Sequence, residues 1–388
     1  MTGKVPQPAD IVLLSLEPWD EVWRRNQYLV AGLLRTRPRL RVLFVEPAAD
    51  PLHRLISGGR PRRGQGLRAA PALSGVESGR LWLYQPTKWL PRRIDAHADR
   101  RSAQGVVRAS RRLRMQRPTL WVNDPGGAAV LALTSWPSLY DITDDWLAAN
   151  RPPREHERLV HDEARLFSQC EEVTVCSTGL AQSKGALRPV TLVTNAVDVA
   201  RYRAPTSRPT DLPEGRVALY LGTLHRDRLD LDLCVETART LAGVATLVFV
   251  GPVALDPKER DRLVSAGAAL LGARPFTRVP GYLQHADVLV VPHVVDAFTD
   301  SLDPLKLYEY RAVGRPVVAT PVAGFRASTD VLIDSVAAER FPAAVLQALA
   351  SPAATSNAPP SADIPTWESQ VALMAEVIDR AQHGTTHR

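Results

Sequence analysis

Apolar segments of strand length alternate with amphipathic segments of helix length along almost the whole chain, and few folds accommodate that alternation. Strands separated by helices pair in parallel, with helices covering both faces of the sheet, so each strand reads as a near-continuous apolar run. Such runs are IVLLSL (11–16), VLFVEP (42–47), LWLYQP (81–86), TLWVND (119–124), SLYDIT (138–143), EVTVCS (172–177) and TLVTNA (191–196). Helices are expected near 24–35, 95–115 and 154–169. The rhythm breaks at YRAPTSRPTDLPEG (202–215), whose Pro-rich, polar composition reads as a linker. It restarts with VALYLG (217–222), TLVFVG (246–251), ALLG (269–272), DVLVVP (287–292) and PVVAT (316–320), with helices near 229–241, 257–266 and 304–313. TWESQVALMAEVIDRA (366–381) reads as one last amphipathic helix. The expected division is therefore 1–201, 202–365, and a terminal helix with its tail at 366–388. Residues 48–79 are rich in Gly, Pro and Arg without clear periodicity, and read as a mobile loop region. Ligands of open parallel sheets bind beyond the carboxyl ends of the strands. That puts the chemistry on the loops after Leu16, Asp124, Thr143, Gly222 and Pro292.

Composition sets limits around this fold. The 388 residues suit two cores better than one. No apolar run approaches the ~20 residues of a membrane-spanning helix, and the N-terminus reads as a first strand, not a secretory signal. The three cysteines (Cys170, Cys176 and Cys234) are odd in number and lack a C-x-x-C pair, which argues against disulfides and a structural zinc and points to the cytosol. Charge is unevenly placed. Residues 54–117 hold sixteen Lys or Arg against three acids, Glu77, Asp95 and Asp99, although the whole chain is only +7. Such a segment suits an anionic partner, such as a lipid headgroup, a lipid-linked phosphate or a nucleic acid; a solvated basic face accounts for it equally well.

SLDPLKLYEYRAVGRPVVAT (301–320) is the most informative stretch. Pro304 suits the first turn of a helix, and Lys306 and Glu309, three apart, share one face of it. Near a helix N-terminus that pair could hold a diphosphate on the cation and two ribose hydroxyls on the acid. A surface Lys–Glu pair, contributing ~0.3–0.5 kcal/mol, has the same spacing.

D-P-L-K-L-Y-E-Y-x-A-x-G-x-P-V-V-A-T resembles the donor-site motif of bacterial GT-B glycosyltransferases. It is most similar to the family-4-like group and its teichuronic-acid and xanthan glucuronosyltransferase types. The resemblance extends through D-I-V-L-L-S (10–15), S-L-Y-D-I-T-D-D-W (138–146), T-N-A-V-D (194–198), L-Y-L-G-T-L (219–224), V-F-V-G-P (248–252), P-G-Y-L-Q-H-A-D-V-L-V-V-P (280–292) and T-W-E (366–368). It implies two Rossmann-like domains facing across a cleft, with the last helix crossing back to the N-terminal domain. It also implies a nucleotide-diphosphate sugar as co-substrate, no other cofactor and no metal. On the donor side it implies Glu309 at the ribose and Lys306, followed by Leu307, at the diphosphate. Backbone N–H groups of Gly222 and Thr223 would meet phosphate, with His225, Arg226 or Arg228 adding charge. Arg274 and Phe276 would line the base pocket, and Asp296 to Ser301 would read the donor sugar. Many members of the group carry a second Glu eight residues before the ribose Glu, where this chain has Ser301.

The acidic cluster after SLYDIT is the candidate general base, with Asp144 first, then Asp145 and Asp141; helix capping is the competing role. Glu17, Trp19 and Arg24 are expected on the acceptor side, where Trp19 and Trp23 could stack on a sugar or simply pack. Asn195 and Asp198 match a loop near the hinge, and Asx turns explain them nearly as well. No G-x-G-x-x-G opens either half, which disfavours an ordinary NAD enzyme. The expected activity is transfer of a sugar to an acceptor hydroxyl in cell-envelope glycan, glycolipid or specialised-metabolite assembly, in the cytoplasm or peripherally on the inner membrane face. The acceptor would be a small molecule or a lipid-linked glycan. An epimerase or hydrolase on the same fold, or a basic nucleic-acid binder without an interleaved aromatic platform, are the alternatives.

Overall fold

The computed structural model describes residues 10–384 except 22, 57–58, 90–93, 96, 149–150, 297–298, 300–302, 327 and 352–363. The chain divides into two compact units, residues 1–193 with 368–388 and residues 194–367.

The first unit is built on an eight-stranded sheet. Its strands are β1 (Ile11–Leu14), β2 (Val42–Val45), β3 (Gly66–Ala69), β4 (Leu81–Gln85), β5 (Thr119–Val122), β6 (Ser138–Ile142), β7 (Glu172–Val175) and β8 (Thr191–Leu192), in the order β3-β4-β2-β1-β5-β6-β7-β8. All pairings are parallel except β3 with β4. The helices are α1 (Arg25–Thr36), α2 (Pro51–Ile56), α3 (Ala98–Arg112), α4 (Ala128–Leu131), α5 (Pro153–Gln169) and α6 (Thr178–Gly185). Strands β1, β2 and β5 are buried throughout, as continuous apolar runs in a covered sheet must be. The structure corrects the loop expected at 48–79. Residues there form α2 and the edge strand β3, which pairs antiparallel with β4, Leu67 opposite Tyr84 and Arg68 opposite Leu83. Backbone pairing specifies this four-residue Gly-Leu-Arg-Ala strand, so its side chains carry no period to read.

The second unit carries β9 (Arg216–Leu221), β10 (Ala245–Val250), β11 (Ala269–Gly272), β12 (Val288–Val291), β13 (Val317–Ala319) and β14 (Ile333–Ser335), all parallel, in the order β11-β10-β9-β12-β13-β14. Its helices are α7 (Val199–Arg203), α8 (Leu231–Thr240), α9 (Pro257–Ser265), α10 (Val279–Gln284), α11 (Leu305–Val313) and α12 (Phe341–Ala350). Two apolar layers sandwich the sheet. Val217 and Leu219 of β9 enter one, Ala218 and Tyr220 the other, which is the two-residue period of a strand covered on both faces. Sequence patterning missed β14, whose Ile-Asp-Ser is only half-buried, and α12.

The final helix, α13 (Trp367–Gly384), belongs to the first unit from Glu368 onward. It lies tight against α1: a Cβ added at Gly32 would fall 2.3 Å from Val371 Cγ2. Arg37 of the α1 C-cap holds Asp379 with two hydrogen bonds of 2.8 and 2.6 Å. The chain passes between units near residue 193, not 201. The stretch expected as linker is part of the second unit because Tyr202 and Leu212 are buried in its core, and Gln284 Oε1 accepts from both the N–H and the hydroxyl of Thr206.

Candidate functional site

In the second unit, α11 starts after Pro304, which lies in the extended region at φ −73°, and ends at Gly314, left-handed at φ 73°. Tyr310 fixes this helix to the sheet, because its hydroxyl accepts from Leu221 N–H at 2.9 Å where β9 ends. The next residue, Gly222, has φ +142°. Its neighbour Gly251, at φ +150°, must also lack a side chain, since a Cβ there would fall 2.0 Å from Gly222 O.

Lys306 and Glu309 project from successive turns of α11. The Lys306 ammonium lies 4.0 Å from the centroid of the Tyr220 ring and 3.1 Å from Nε2 of His293. A Cβ at Gly222 would sit 3.2 Å from it. Burial pushes Lys306 down to about 7; Arg228 lowers it further and Glu309 opposes. Burial raises the Glu309 carboxyl above its ordinary value, against hydrogen bonding from Tyr202 and the charges of Lys306 and Arg201. The Tyr202 hydroxyl donates to Glu309 Oε1 at 2.5 Å. His293, just beyond β12, is pushed well below 6.5 by burial and by the Lys306 and Arg228 charges, so its imidazole is uncharged at neutral pH. Tyr202 and His293 were not singled out from the sequence. A tyrosine in a Pro-rich stretch and a lone histidine after a strand carry no spacing signal.

The remaining donor-side candidates have varied surroundings. Gly222 N–H donates to Val250 O at 2.9 Å, so it is not available to phosphate. The neighbouring Thr223 N–H has no partner among the described residues. Leu307 is a core residue, 7% exposed. His225 lies beside Asp227, Arg226 pairs with Glu259 at 2.8 Å, and Arg228 is exposed in the same turn. Arg274 is held by Asp211 at 2.5 Å and by the Tyr282 hydroxyl at 2.9 Å. One face of Phe276 is covered by the Arg201 guanidinium, 4.2 Å from the ring centroid. Ser301 lies outside the described residues, as does most of the loop from Asp296. Asn195 binds the segment leading into α11, its N–H and side-chain amide reaching Asp303 at 2.5 Å each; Asp198 caps α7.

The first unit separates the three acids. Asp141 is fully buried on β6 and accepts from Arg25 Nη2 at 3.1 Å, Trp121 Nε1 at 3.2 Å and Thr174 Oγ1 at 2.8 Å. Its carboxylate anchors α1 and β5 to β6, which removes it as a base. Asp145 lies 3.7 Å from Lys184, whose ammonium pairs with Glu163 at 2.5 Å. Asp144 accepts from the Thr143 hydroxyl at 3.2 Å and stays half-buried. Neither caps the next helix, because α5 starts after Pro152. Glu17 and Arg24 pair at 3.2 Å. Trp19 packs edge-on against Phe44 and Trp23, with centroids 5.1 and 6.1 Å away. A polar cluster missed by sequence reading joins the loops after β1 and β5. The Asn26 amide donates to Asn123 Oδ1 at 2.8 Å and to Ser15 Oγ at 3.0 Å, and Asn123 donates to Asp141 O at 3.0 Å.

Among the described residues no group of three or more His, Cys, Asp or Glu could hold a metal ion. Sequence reading passed over Asp230-Leu231-Asp232, the D-x-D spacing with which GT-A transferases bind a metal. Here Asp230 caps α8 and Asp232 pairs with Arg262 at 2.5 Å. Among the described residues no helix is long and apolar enough to cross a membrane.

Two parallel-sheet α/β units, the second closing a Lys–Glu helix onto a glycine turn, define a GT-B fold. Solved structures agree. The chain is similar to AviGT4, a glycosyltransferase involved in avilamycin A biosynthesis, with TM-score 0.58 and 14% identity over 97% of this chain and 99% of that one. It is similar to Anabaena Alr3699/HepE in complex with UDP-glucose, with TM-score 0.59 and 12% identity over 96% and 97%. The catalytic domain of Arabidopsis thaliana starch synthase IV bound to ADP and acarbose gives TM-score 0.61 and 11% identity over 97% and 99%. Residues 215–351 match the family described as Glycosyl transferases group 1. TuaH of Bacillus subtilis strain 168, a glycosyltransferase assigned to teichuronic acid biosynthesis, is 26% identical over 222 residues. That match spans 53% of this chain and 56% of TuaH, about half of each.

Proposed function

We propose that this protein is a glycosyltransferase that moves a sugar from a nucleotide-diphosphate sugar to an acceptor hydroxyl. The observation that carries the reading is the half-buried Lys306 ammonium, without a carboxylate ion-pair partner among the described residues and one helical turn from Glu309. In this reading the diphosphate meets Lys306, the Thr223 N–H and Arg228, while the ribose hydroxyls meet the Glu309 oxygen that Tyr202 leaves open. As the bond from the anomeric carbon to the diphosphate oxygen breaks, charge grows on the leaving group next to these donors, and they stabilise it most in the transition state. The acceptor oxygen bonds the anomeric carbon and its proton passes to a base, for which Asp144 is the candidate. No metal or further cofactor enters this scheme. HepE has been solved with UDP-glucose and Staphylococcus aureus TarM with UDP, which makes uridine nucleotides the first donors to try.

The acceptor side of the proposal is a cell-envelope or lipid-linked glycan, met at the inner face of an anionic membrane. Its support is the basic stretch 54–117 together with exposed apolar side chains in the same stretch, Leu55, Ile56, Trp89 and Ile94. Trp89 carries the Arg63 guanidinium 4.8 Å from its ring centroid, an apolar-cationic pairing suited to a headgroup layer. A thermal-shift screen of nucleotide-diphosphate sugars tests the donor half: a true donor stabilises the wild type and not Glu309→Ala. Failure of every nucleotide sugar to shift the wild type would sink the reading. Sedimentation with anionic against neutral vesicles tests the membrane half, and equal recovery refutes it.

A further inference from the structure

We propose that His293 is a positioning residue for the donor diphosphate: its uncharged imidazole accepts the Lys306 ammonium and holds that cation at the Gly222 turn without neutralising it. The inference rests on the donor reading above and deepens it. His293 is only 5% exposed, and Thr320 pins its backbone from both sides. The His293 N–H donates to Thr320 Oγ1 at 3.1 Å, and that hydroxyl lies 2.8 Å from His293 O. These bonds fix the backbone from which the ring projects. Its Nε2 lies 3.1 Å from Lys306 Nζ and 3.1 Å from the Tyr220 hydroxyl. When Lys306 is charged it can only donate, so Nε2 is then the acceptor and the ring proton sits on Nδ1.

Among the described residues, the groups facing this contact are Tyr220, Arg228 and Glu309. Tyr220 of β9 presents its ring face to the ammonium, a second uncharged partner. Arg228, in the turn after β9, repels both Lys306 and His293. Glu309, one turn along α11, spends Oε1 on Tyr202. Among the described residues no carboxylate forms an ion pair with Lys306. Elsewhere, buried or half-buried cations are met by acids, as with Arg25–Asp141, Lys184–Glu163 and Arg311–Asp330, or by backbone carbonyls, as with Arg80 on Leu34, Arg37 and Leu40. Lys306 departs from that pattern. A carboxylate at position 293 would satisfy the ammonium and compete with an incoming anion, whereas an imidazole orients it and leaves its charge unspent. The resulting strain on the charged form, visible as the fall of Lys306 to about 7, is relieved when a diphosphate arrives.

The test compares His293→Glu, His293→Gln and His293→Leu in the full chain. UDP, GDP, ADP and dTDP are titrated calorimetrically at neutral pH, and the Lys306 side chain is titrated by NMR with Lys306→Met for assignment. His293→Gln, which keeps an uncharged acceptor, should bind within about threefold of wild type. His293→Glu should weaken nucleotide binding by about tenfold or more and move the Lys306 titration upward. His293→Leu should weaken binding without that upward movement. Equal nucleotide affinities for the Glu and Gln variants would overturn the proposal, as would wild-type affinity in His293→Leu. If the wild type binds no nucleotide, the donor reading fails separately. The NMR arm then still judges the contact, and a Lys306 titration unchanged in His293→Glu refutes it.

Discussion

Replacing Lys306 by Met should produce a protein that is more stable yet unable to bind its donor. Lys306 falls from an ordinary 10.5 to about 7 in the folded chain. Between those values the unfolded chain binds the proton that the folded chain has released, so stability climbs with pH across this window. At pH 7 the mismatch costs about 4 kcal/mol at 1.36 kcal/mol per pK unit. Met removes that penalty but also removes the contact with the Tyr220 ring, worth about 2 kcal/mol, and the hydrogen bond to His293, worth about 1 kcal/mol. The net expectation is a gain of about 1 kcal/mol, or a rise of about 2–4 °C in Tm for a unit of this size. The pH slope is the sharper signature. From pH 7 to 9 the wild type should gain about 2 kcal/mol more than the variant. The raised Glu309 contributes in the opposite sense, since its stabilisation is lost as pH rises through its folded value, but it is present in both proteins and largely cancels. Scanning calorimetry at pH 7, 8 and 9, with and without the nucleotide found in the thermal-shift screen, reads all of this. A variant less stable than wild type at pH 7 with an unchanged slope would refute the view that Lys306 is a charge held in readiness for an anion.

Other outcomes follow from the same geometry. Asp141→Ala leaves Arg25 buried without its acid and should destabilise the first unit by about 3–5 kcal/mol in urea titrations. Asp144→Asn should leave the unfolding free energy from urea titration within about 0.5 kcal/mol of wild type while lowering kcat; unchanged kcat removes Asp144 as the base. Gly251→Ala forces a methyl onto Gly222 O at a left-handed φ and should weaken nucleotide binding, measured as a raised Kd, along with a lower Tm. Acidification below 6.5 should destabilise the second unit, because His293 is lowered on folding and the unfolded chain takes up the proton first. His293→Gln should flatten that acid limb.

The doubly wound halves and the Lys306–Glu309 helix were legible in the linear order of residues because both rest on local rules. Parallel strands advertise themselves as short apolar runs, and a pair three apart shares a helix face wherever that helix lies. Edge strands such as β3 and β14 escaped notice, since backbone hydrogen bonds to a neighbour fix them and not a side-chain period. The terminal helix was visible in sequence, but its membership in the first unit depends on Gly32 admitting Val371 and on Arg37 meeting Asp379, contacts across more than three hundred positions. The three acids after β6 look interchangeable as letters. Only packing buries Asp141 under Arg25, Trp121 and Thr174 and leaves Asp144 half-open. Likewise the sequence determined that Lys306 carries a positive charge near a helix start. The tertiary structure alone decided that its partners are a tyrosine ring on β9 and a neutral histidine just beyond β12, and those partners set how strongly a half-buried cation seeks an anion.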